Sequence, residues 1–389
     1  MTDPAKIRVM LVDDSAIVRG LMQRALKDDP QIEVVATAMD GAAAIDTLKR
    51  TPADIVVLDI EMPVMDGLTA LPKLLEASPG LRVIMASTLT LRNAEISMRA
   101  MQLGAMEYLA KPSATNPNEV QEFYRQLISK IKALAAGGKG VAPVPLSSLR
   151  TSGAAPNAPV TASRLLKPAA PASRPAMATD IAPVTATFSL NEALTNAPRV
   201  QAVAIASSTG GPQALLSVFG ALKGKPITVP IFITQHMPPN FTTILADHIS
   251  KAIGSECHEA KDGEAVKPGT IYIAPGDYHM VAERIGTGIV LRTTQTPPEN
   301  YCRPSADPML RSLAAIYGRN LLAVVLTGMG SDGAPGAAEV VRQGGTVAAQ
   351  NEATCVVYGM PRAVADAKLA KAILPLDQIA PYISKAMGG

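Results

Sequence analysis

Short aliphatic, β-branched runs recur along this chain, and each stops at residues able to do chemistry. Residues 7–12 (IRVMLV) end in Asp13-Asp14, and 53–58 (ADIVVL) in Asp59. Residues 81–86 (LRVIMA) end in Ser87-Thr88, and 107–110 (EYLA) in Lys111-Pro112. Between them, 17–26, 42–48, 68–75 and 94–101 carry apolar residues at helical spacing. Runs this apolar are buried on both faces, as parallel strands are. Their alternation with helices predicts an α/β fold with a doubly wound parallel sheet, whose ligands sit outside the strand carboxyl ends.

The second half repeats the pattern. Residues 200–206 lead into Ser207-Ser208-Thr209-Gly210-Gly211-Pro212, followed by helical spacing over 213–219. A hydroxyl on such a strand-to-helix turn lies beside free amides at a helix N-terminus, which can stabilise an oxyanion. Helix capping and phosphate cradling are competing uses of the same residues. Residues 229–235 end at His236, and 320–326 lead through Thr327-Gly328-Met329-Gly330-Ser331 to Asp332. In a parallel sheet these ends share one edge, so His236 can take a proton from Ser208 while Asp332 orients the imidazole. His279 competes as base and Asp277 as carboxylate, both on a turn after 270–273. His248 is expected on a surface or groove. Cys302 shows no charged neighbour in sequence beyond Arg303 and no strand-end placement, which weakens it as a nucleophile.

In the first half, Asp13, Asp14 and Asp59 repel one another unless a cation lies between them. A hard divalent ion such as Mg²⁺ takes oxygen ligands of this kind. Asp59 can then attack a phosphoryl group whose oxygens Ser87 and Lys111 bind, with Thr88 as the alternative hydroxyl.

Composition excludes several classes. The chain has 389 residues, enough for two or three domains, a formal charge of +3 and 3% aromatics without Trp. That argues against a nucleic-acid surface. Its three cysteines form no C-x-x-C pair, which fits a reducing cytosol. The first residues lack the pattern of a signal peptide, and no run of 18 apolar residues occurs, so the expectation is a cytoplasmic protein without membrane insertion. Residues 135–196 are rich in Ala and Pro, with Lys139, Arg150, Arg164, Lys167 and Arg174, and read as a flexible tether.

Residues 5–125 resemble the receiver domain of bacterial response regulators. That resemblance implies a flavodoxin-like fold, Asp59 as phosphoacceptor, Mg²⁺ on Asp13, Asp14 and Asp59, and phosphate contacts from Ser87 and Lys111. It also implies a cis Lys111-Pro112 bond and places Tyr108 at the family's aromatic switch position. Residues 198–386, through the serine turn, Gln235-His236-Met237-Pro238-Pro239, Ile273-Ala274-Pro275-Gly276-Asp277 and the glycine-rich segment before Asp332, resemble the chemotaxis protein-glutamate methylesterases. The implied roles are Ser208 as nucleophile, His236 as base and Asp332 as orienting carboxylate. Ser207 is a supporting residue, the Thr209 and Met329 amides are oxyanion donors, and the esterase site needs no cofactor. The family usually has histidine where Cys302 stands.

The implied organisation is a receiver over 1–134, a linker over 135–196 and a three-layer αβα hydrolase over 197–389. Its implied activity is hydrolysis of glutamate γ-methyl esters, with glutamine deamidation, on methyl-accepting chemoreceptors during sensory adaptation. A chemotaxis histidine kinase would phosphorylate Asp59 and free an active site that the receiver covers. A non-catalytic receptor adaptor and a nucleotide-binding output are the rivals. The second lacks G-x-x-x-x-G-K-[ST] and G-x-G-x-x-G motifs.

Overall fold

The computed structural model describes residues 6–88, 90–112, 117–137 and 199–388. Nearly all of the expected tether lies outside them.

The first half is a five-stranded parallel sheet. Its strands are β1 (Ile7–Val12), β2 (Ile32–Ala38), β3 (Ile55–Asp59), β4 (Arg82–Ser87) and β5 (Glu107–Ala110), in the order β2-β1-β3-β4-β5. Helices α1 (Ala16–Lys27), α2 (Gly41–Arg50), α3 (Gly67–Ala77), α4 (Leu91–Gln102) and α5 (Pro117–Ala136) connect and flank the strands. Ser15, Asp40, Asp66 and Thr90 each accept an amide proton at the start of a helix, a cap whose loss costs about 1 kcal/mol. Helix α5 runs to Ala136, two residues into the expected tether. β2 was not anticipated: it is a sheet edge whose middle residues are half-buried, so it lacks the fully apolar signature of its neighbours. The Lys111–Pro112 bond is trans; among the described residues the cis bond is Arg303–Pro304. An X-Pro bond tolerates either isomer, so the expectation was open to this outcome.

The second half is a seven-stranded parallel sheet. In chain order its strands are β6 (Ala202–Ser207), β7 (Ile231–Gln235), β8 (Cys257–Glu259), β9 (Ile271–Ile273), β12 (Leu321–Val325), β13 (Thr346–Gln350) and β14 (Ala372–Leu374). Their order across the sheet is β14-β13-β12-β6-β7-β9-β8. The intervening β10 (His279–Ile285) and β11 (Gly288–Thr294) form a separate antiparallel hairpin. Helices α6 (Gly211–Ala221), α7 (Phe241–Ile253), α8 (Ala306–Tyr317), α9 (Ala334–Arg342), α10 (Met360–Asp366) and α11 (Leu376–Ala386) surround the sheet. β6 lies between β12 and β7, with Val203 opposite both Leu322 and Ile231. The three strands that lead into Ser208, His236 and Asp332 are therefore neighbours. The chain winds away from β6 in both directions, and the crevice at such a reversal is where α/β sheets hold ligands.

The halves pack against each other through α4, β5 and α5. Tyr108 stacks on Phe241 with ring centroids 4.5 Å apart. Gln213 donates to the Ala105 carbonyl at 2.7 Å, and Gln102 meets His248 at 3.1 Å. His248 thus lies in the interface, where burial lowers its pKa. Among the described residues no helix is long and apolar enough to cross a membrane.

Candidate active site

The turn after β6 is set by glycine. Gly210 has φ +76, and a Cβ there would lie 2.5 Å from the Val356 side chain. At Gly211 a Cβ would fall 1.9 Å from Gln235 Oε1. Side chains are excluded, so the helix can start directly under Ser208. Buried Ser207 donates to Gln235 Oε1 at 2.7 Å, and Gln235 Nε2 donates to the Ser208 carbonyl at 2.9 Å. Ser207 thus holds the side-chain amide that holds the Ser208 backbone. Gly328 brings the β12 loop against the same turn, since a Cβ on it would lie 2.9 Å from Ser208 Cβ. The amides of Thr209 and Met329 donate no hydrogen bond among the described residues.

His236 follows β7, and its amide donates to the Ser207 carbonyl at 3.1 Å. Its Nε2 lies 2.6 Å from Asp332 Oδ2. Asp332 is gripped by five further donors: Ser305 Oγ at 2.7 Å, Asn300 Nδ2 at 2.9 Å, and the amides of Ala306, Asp307 and Gly333 at 2.6, 3.2 and 3.0 Å. Two of those amides open α8, where the helix dipole also favours an anion. Burial opposes its charge, yet His236 and these donors hold Asp332 well below the usual carboxylate range. Burial likewise opposes the His236 cation, but the Cys302 sulfur and Asp332 outweigh it and push the imidazole up to about 10.

The other imidazole nitrogen makes no hydrogen bond with Ser208 among the described residues. Nδ1 lies 3.4 Å from Cys302 Sγ, and Ser208 Oγ makes no hydrogen bond among the described residues. Cys302 therefore has the charged partner that the sequence did not reveal, whereas Arg303 turns away to Asp277 at 2.7 Å. His279 is not in the cleft. It is fully buried, with Nδ1 accepting from the Ser305 amide at 3.1 Å and Nε2 facing the Pro297 carbonyl at 3.2 Å. Asp307 escaped the sequence analysis, and Asn300 was placed in a cleft segment by the resemblance but given no role. Asn300 Nδ2 bridges Asp307 and Asp332 at 2.9 Å each, and burial beside Asp332 raises the Asp307 carboxyl to about 6.

Ser208, His236, Cys302, Met329 and Asp332 line a cleft of about 650 Å³ between the two halves. The receiver-like half closes its other wall with Tyr108, Lys111 and the α5 residues Glu122, Arg125, Ser129 and Lys130. Ser129 Oγ donates to Met329 Sδ at 3.0 Å, and the Arg125 guanidinium lies 5.2 Å from the Tyr301 ring.

At the carboxyl edge of the first sheet, one oxygen from each of Asp13, Asp14 and Asp59 falls within 4.8 Å of the others. Lys111 Nζ lies 2.7 Å from Asp13 and 2.6 Å from Asp59. Burial raises the Asp59 carboxyl to about 6, against the pull of Lys111. An all-oxygen anionic set of this size suits Mg²⁺. Ser87 Oγ lies 3.2 Å from Ser97 Oγ inside the domain, and Thr88 Oγ1 accepts from Asn93 at 2.7 Å.

Residues 9–122 match the family model of the response regulator receiver domain, and 203–383 match that of the CheB methylesterase. The protein-glutamate methylesterase/protein-glutamine glutaminase 1 of Paramagnetospirillum magneticum is 51% identical over 97% of this chain and 96% of its own length. The enzyme of the same name from Azospirillum brasilense is 50% identical over 97% of this chain and 92% of its own. The Thermotoga maritima CheB methylesterase catalytic domain is 40% identical and covers 48% of this chain and 98% of its own, with a TM-score of 0.47. With relatives aligned across both halves, the chain belongs to the protein-glutamate methylesterase/protein-glutamine glutaminase family, a CheB methylesterase domain of α/β fold preceded by a response-regulator receiver domain.

Proposed function

We propose that this enzyme removes glutamate γ-methyl esters, and deamidates glutamines, on methyl-accepting chemoreceptors by a Ser208-His236-Asp332 acyl-enzyme mechanism under receiver control. The observation that carries this reading is the 2.6 Å His236–Asp332 contact at the wall of a cleft that Ser208 also lines. Ser208 Oγ attacks the ester carbonyl as His236 takes its proton, and the tetrahedral oxyanion falls to the amides of Thr209 and Met329. Loss of one such donor typically costs ~10²–10³ in rate. His236 returns the proton to the leaving methoxide, methanol departs, and water hydrolyses the glutamyl-serine bond by the same relay. No cofactor is required for this step.

In the receiver, Asp13, Asp14 and Asp59 would hold Mg²⁺, which neutralises charge when bound. Asp59 takes the phosphoryl group from a chemotaxis histidine kinase, and Ser87 and Lys111 hold its oxygens. The docked receiver narrows the esterase cleft, and phosphorylation shifts the population toward an undocked form. Moving that equilibrium from mostly closed to mostly open takes about 5 kcal/mol of differential stability. The protein then acts in the cytoplasm, where the receptors' methylated helices lie, and so sets sensory adaptation.

The test is methanol release from methylated receptor membranes by wild type and Ser208→Ala, each with and without acetyl phosphate. Release by wild type, enhanced by the phosphodonor and reduced at least ~10³-fold in the variant, is expected. Equal release by Ser208→Ala removes it as nucleophile. Receptor binding without release by either protein turns the reading into the adaptor.

A further inference from the structure

We propose that Cys302 is a positioning residue for the catalytic base: its thiol holds His236 Nδ1, and Ser208 gains the imidazole only by displacing that sulfur. The inference deepens the proposed mechanism and rests on His236 being its base.

Both imidazole nitrogens are taken, by Asp332 at 2.6 Å and by Cys302 at 3.4 Å. One contact must be released before Ser208 can pass on a proton. The two are unequal. Asp332 is 1% exposed and anchored by five donors other than His236, and hydrogen bonds to a charged group are stronger than those between neutral groups. The sulfur makes one long contact as a weak donor or acceptor, and it is half-buried on the cleft wall. The sulfur is therefore the partner that yields.

A tight turn delivers it there. Glu299 and Cys302 exchange backbone hydrogen bonds of 3.2 and 2.9 Å, and the two residues between them have positive φ, 52° at Asn300 and 62° at Tyr301. Asparagine tolerates that region, but tyrosine adopts it only under strain. Such strain persists where neighbours over-determine the backbone, and Asn300 is tied to both Asp307 and Asp332. The turn thus holds the carboxylate with its second residue and the imidazole with its fourth.

The chemistry follows from proton balance. Thiol plus neutral imidazole and thiolate plus imidazolium carry the same protons, which differ only in which side of the contact holds one. In the ionised form His236 cannot accept from Ser208, so the proton must return to sulfur as the ring disengages. The titratable and charged groups around His236 are Asp332 with Asp307 behind it, Cys302 and Arg303 beside it, and Lys111, Glu119, Glu122, Arg125 and Lys130 across the cleft. Of these, Cys302 and Asp332 are what raise the imidazole. Removal of the sulfur therefore makes His236 a base at lower pH.

The first test is kcat/KM against pH on methylated receptor membranes with acetyl phosphate, for wild type, Cys302→Ala and Cys302→Ser. The acid limb is expected to move to lower pH by at least about one unit, a tenfold gain on that limb, in both variants. Serine keeps the size and hydrogen bonding without ionising, so a shift common to both variants reports the thiol and not packing. Limbs that superimpose on wild type overturn the proposal. The second test needs no esterase activity: iodoacetamide labelling of full-length protein, read per cysteine by mass spectrometry. Cys257 and Cys355 are buried, and burial raises both thiols, to about 12 at Cys355. They serve as internal controls. Cys302, on the cleft wall, is expected to label first, and about tenfold more slowly in His236→Gln, where the imidazole that contacts its sulfur is gone. Equal rates in the two proteins overturn the proposal even if the enzyme's substrate proves to be something else.

Discussion

The two halves place their chemistry alike, at the carboxyl edge of a parallel sheet beside a reversal of strand order, yet they treat a buried aspartate in opposite ways. Asp59 is 3% exposed and shares one lysine with Asp13, so burial wins and its carboxyl rises to about 6. A shift of that size costs the fold roughly 3 kcal/mol above that pH. Asp332 is as deeply buried, but its hydrogen-bond donors reverse the sign and it is held as a permanent anion. The lesson is that the donor count, not the depth, decides whether a buried carboxylate is strained. A strained one is ready to take a cation or a phosphoryl group; a satisfied one is a fixed charge against which an imidazole can work.

The largest effect should come from cancelling the fixed charge. Asp332→Asn keeps the side chain's shape but removes the anion that orients and charges His236. If the proposed triad operates, a loss of ~10³–10⁴ in kcat for methanol release is expected, the size seen when asparagine replaces the aspartate of a serine-protease triad. The KM should change little, because the cleft surface is preserved. A loss below tenfold would mean that Asp332 is structural and that the contrast between the two aspartates carries no catalytic consequence.

The strained carboxylate predicts a different pH response. Protons and Mg²⁺ compete for Asp59, whose folded pKa lies above the unfolded value, so the charged form prevails only above about 6. Calorimetric titration of the unphosphorylated protein with Mg²⁺ should give a constant affinity between pH 7 and 8. Below 6 the affinity should fall by up to about tenfold per pH unit. Affinity independent of pH from 5 to 8 would remove Asp59 from the ligand set or place its pKa near 4, and the two sites would then no longer differ.

Much of this was legible because buried parallel strands advertise themselves as apolar runs, and a parallel sheet forces the residues after those runs onto one edge. Ser208, His236, Asp332, Asp13, Asp59 and Lys111 all follow that rule. β2 was missed because an edge strand need not be apolar throughout, and the β10–β11 hairpin because its exposed face mixes charge with aliphatics. Cys302 and Asn300 belong to a turn, where position depends on backbone dihedrals. Asn at its first central position was a readable signal for positive φ, but Tyr at the second was not. Asp307 lies one residue inside α8, indistinguishable in sequence from an acidic first-turn residue. That the receiver covers the active site was implied by the resemblance, but the contacts that dock the halves could not be read, since a long Ala- and Pro-rich stretch of sequence separates residues such as Arg125 and Tyr301 that meet in space.

That docking supplies the smallest effect and the means to sharpen the comparison, because it connects the strained site to the satisfied one. Arg125, nearly half exposed, lies over the Tyr301 ring, and a cation–π contact at an exposed position is worth about 0.5–1 kcal/mol. Arg125→Ala should weaken the closed form by that amount and raise methanol release without phosphodonor about two- to fivefold. Tyr301→Asn removes the ring while keeping a residue that accepts positive φ, and it should raise basal release to the same extent. The double variant should match either single one, because both delete one contact. Additive gains would show that the two side chains act separately. Unchanged basal release in all three would show that the α5 wall does not restrict the cleft, and would leave the receiver's influence to the Tyr108–Phe241 stack and the Ser129–Met329 contact.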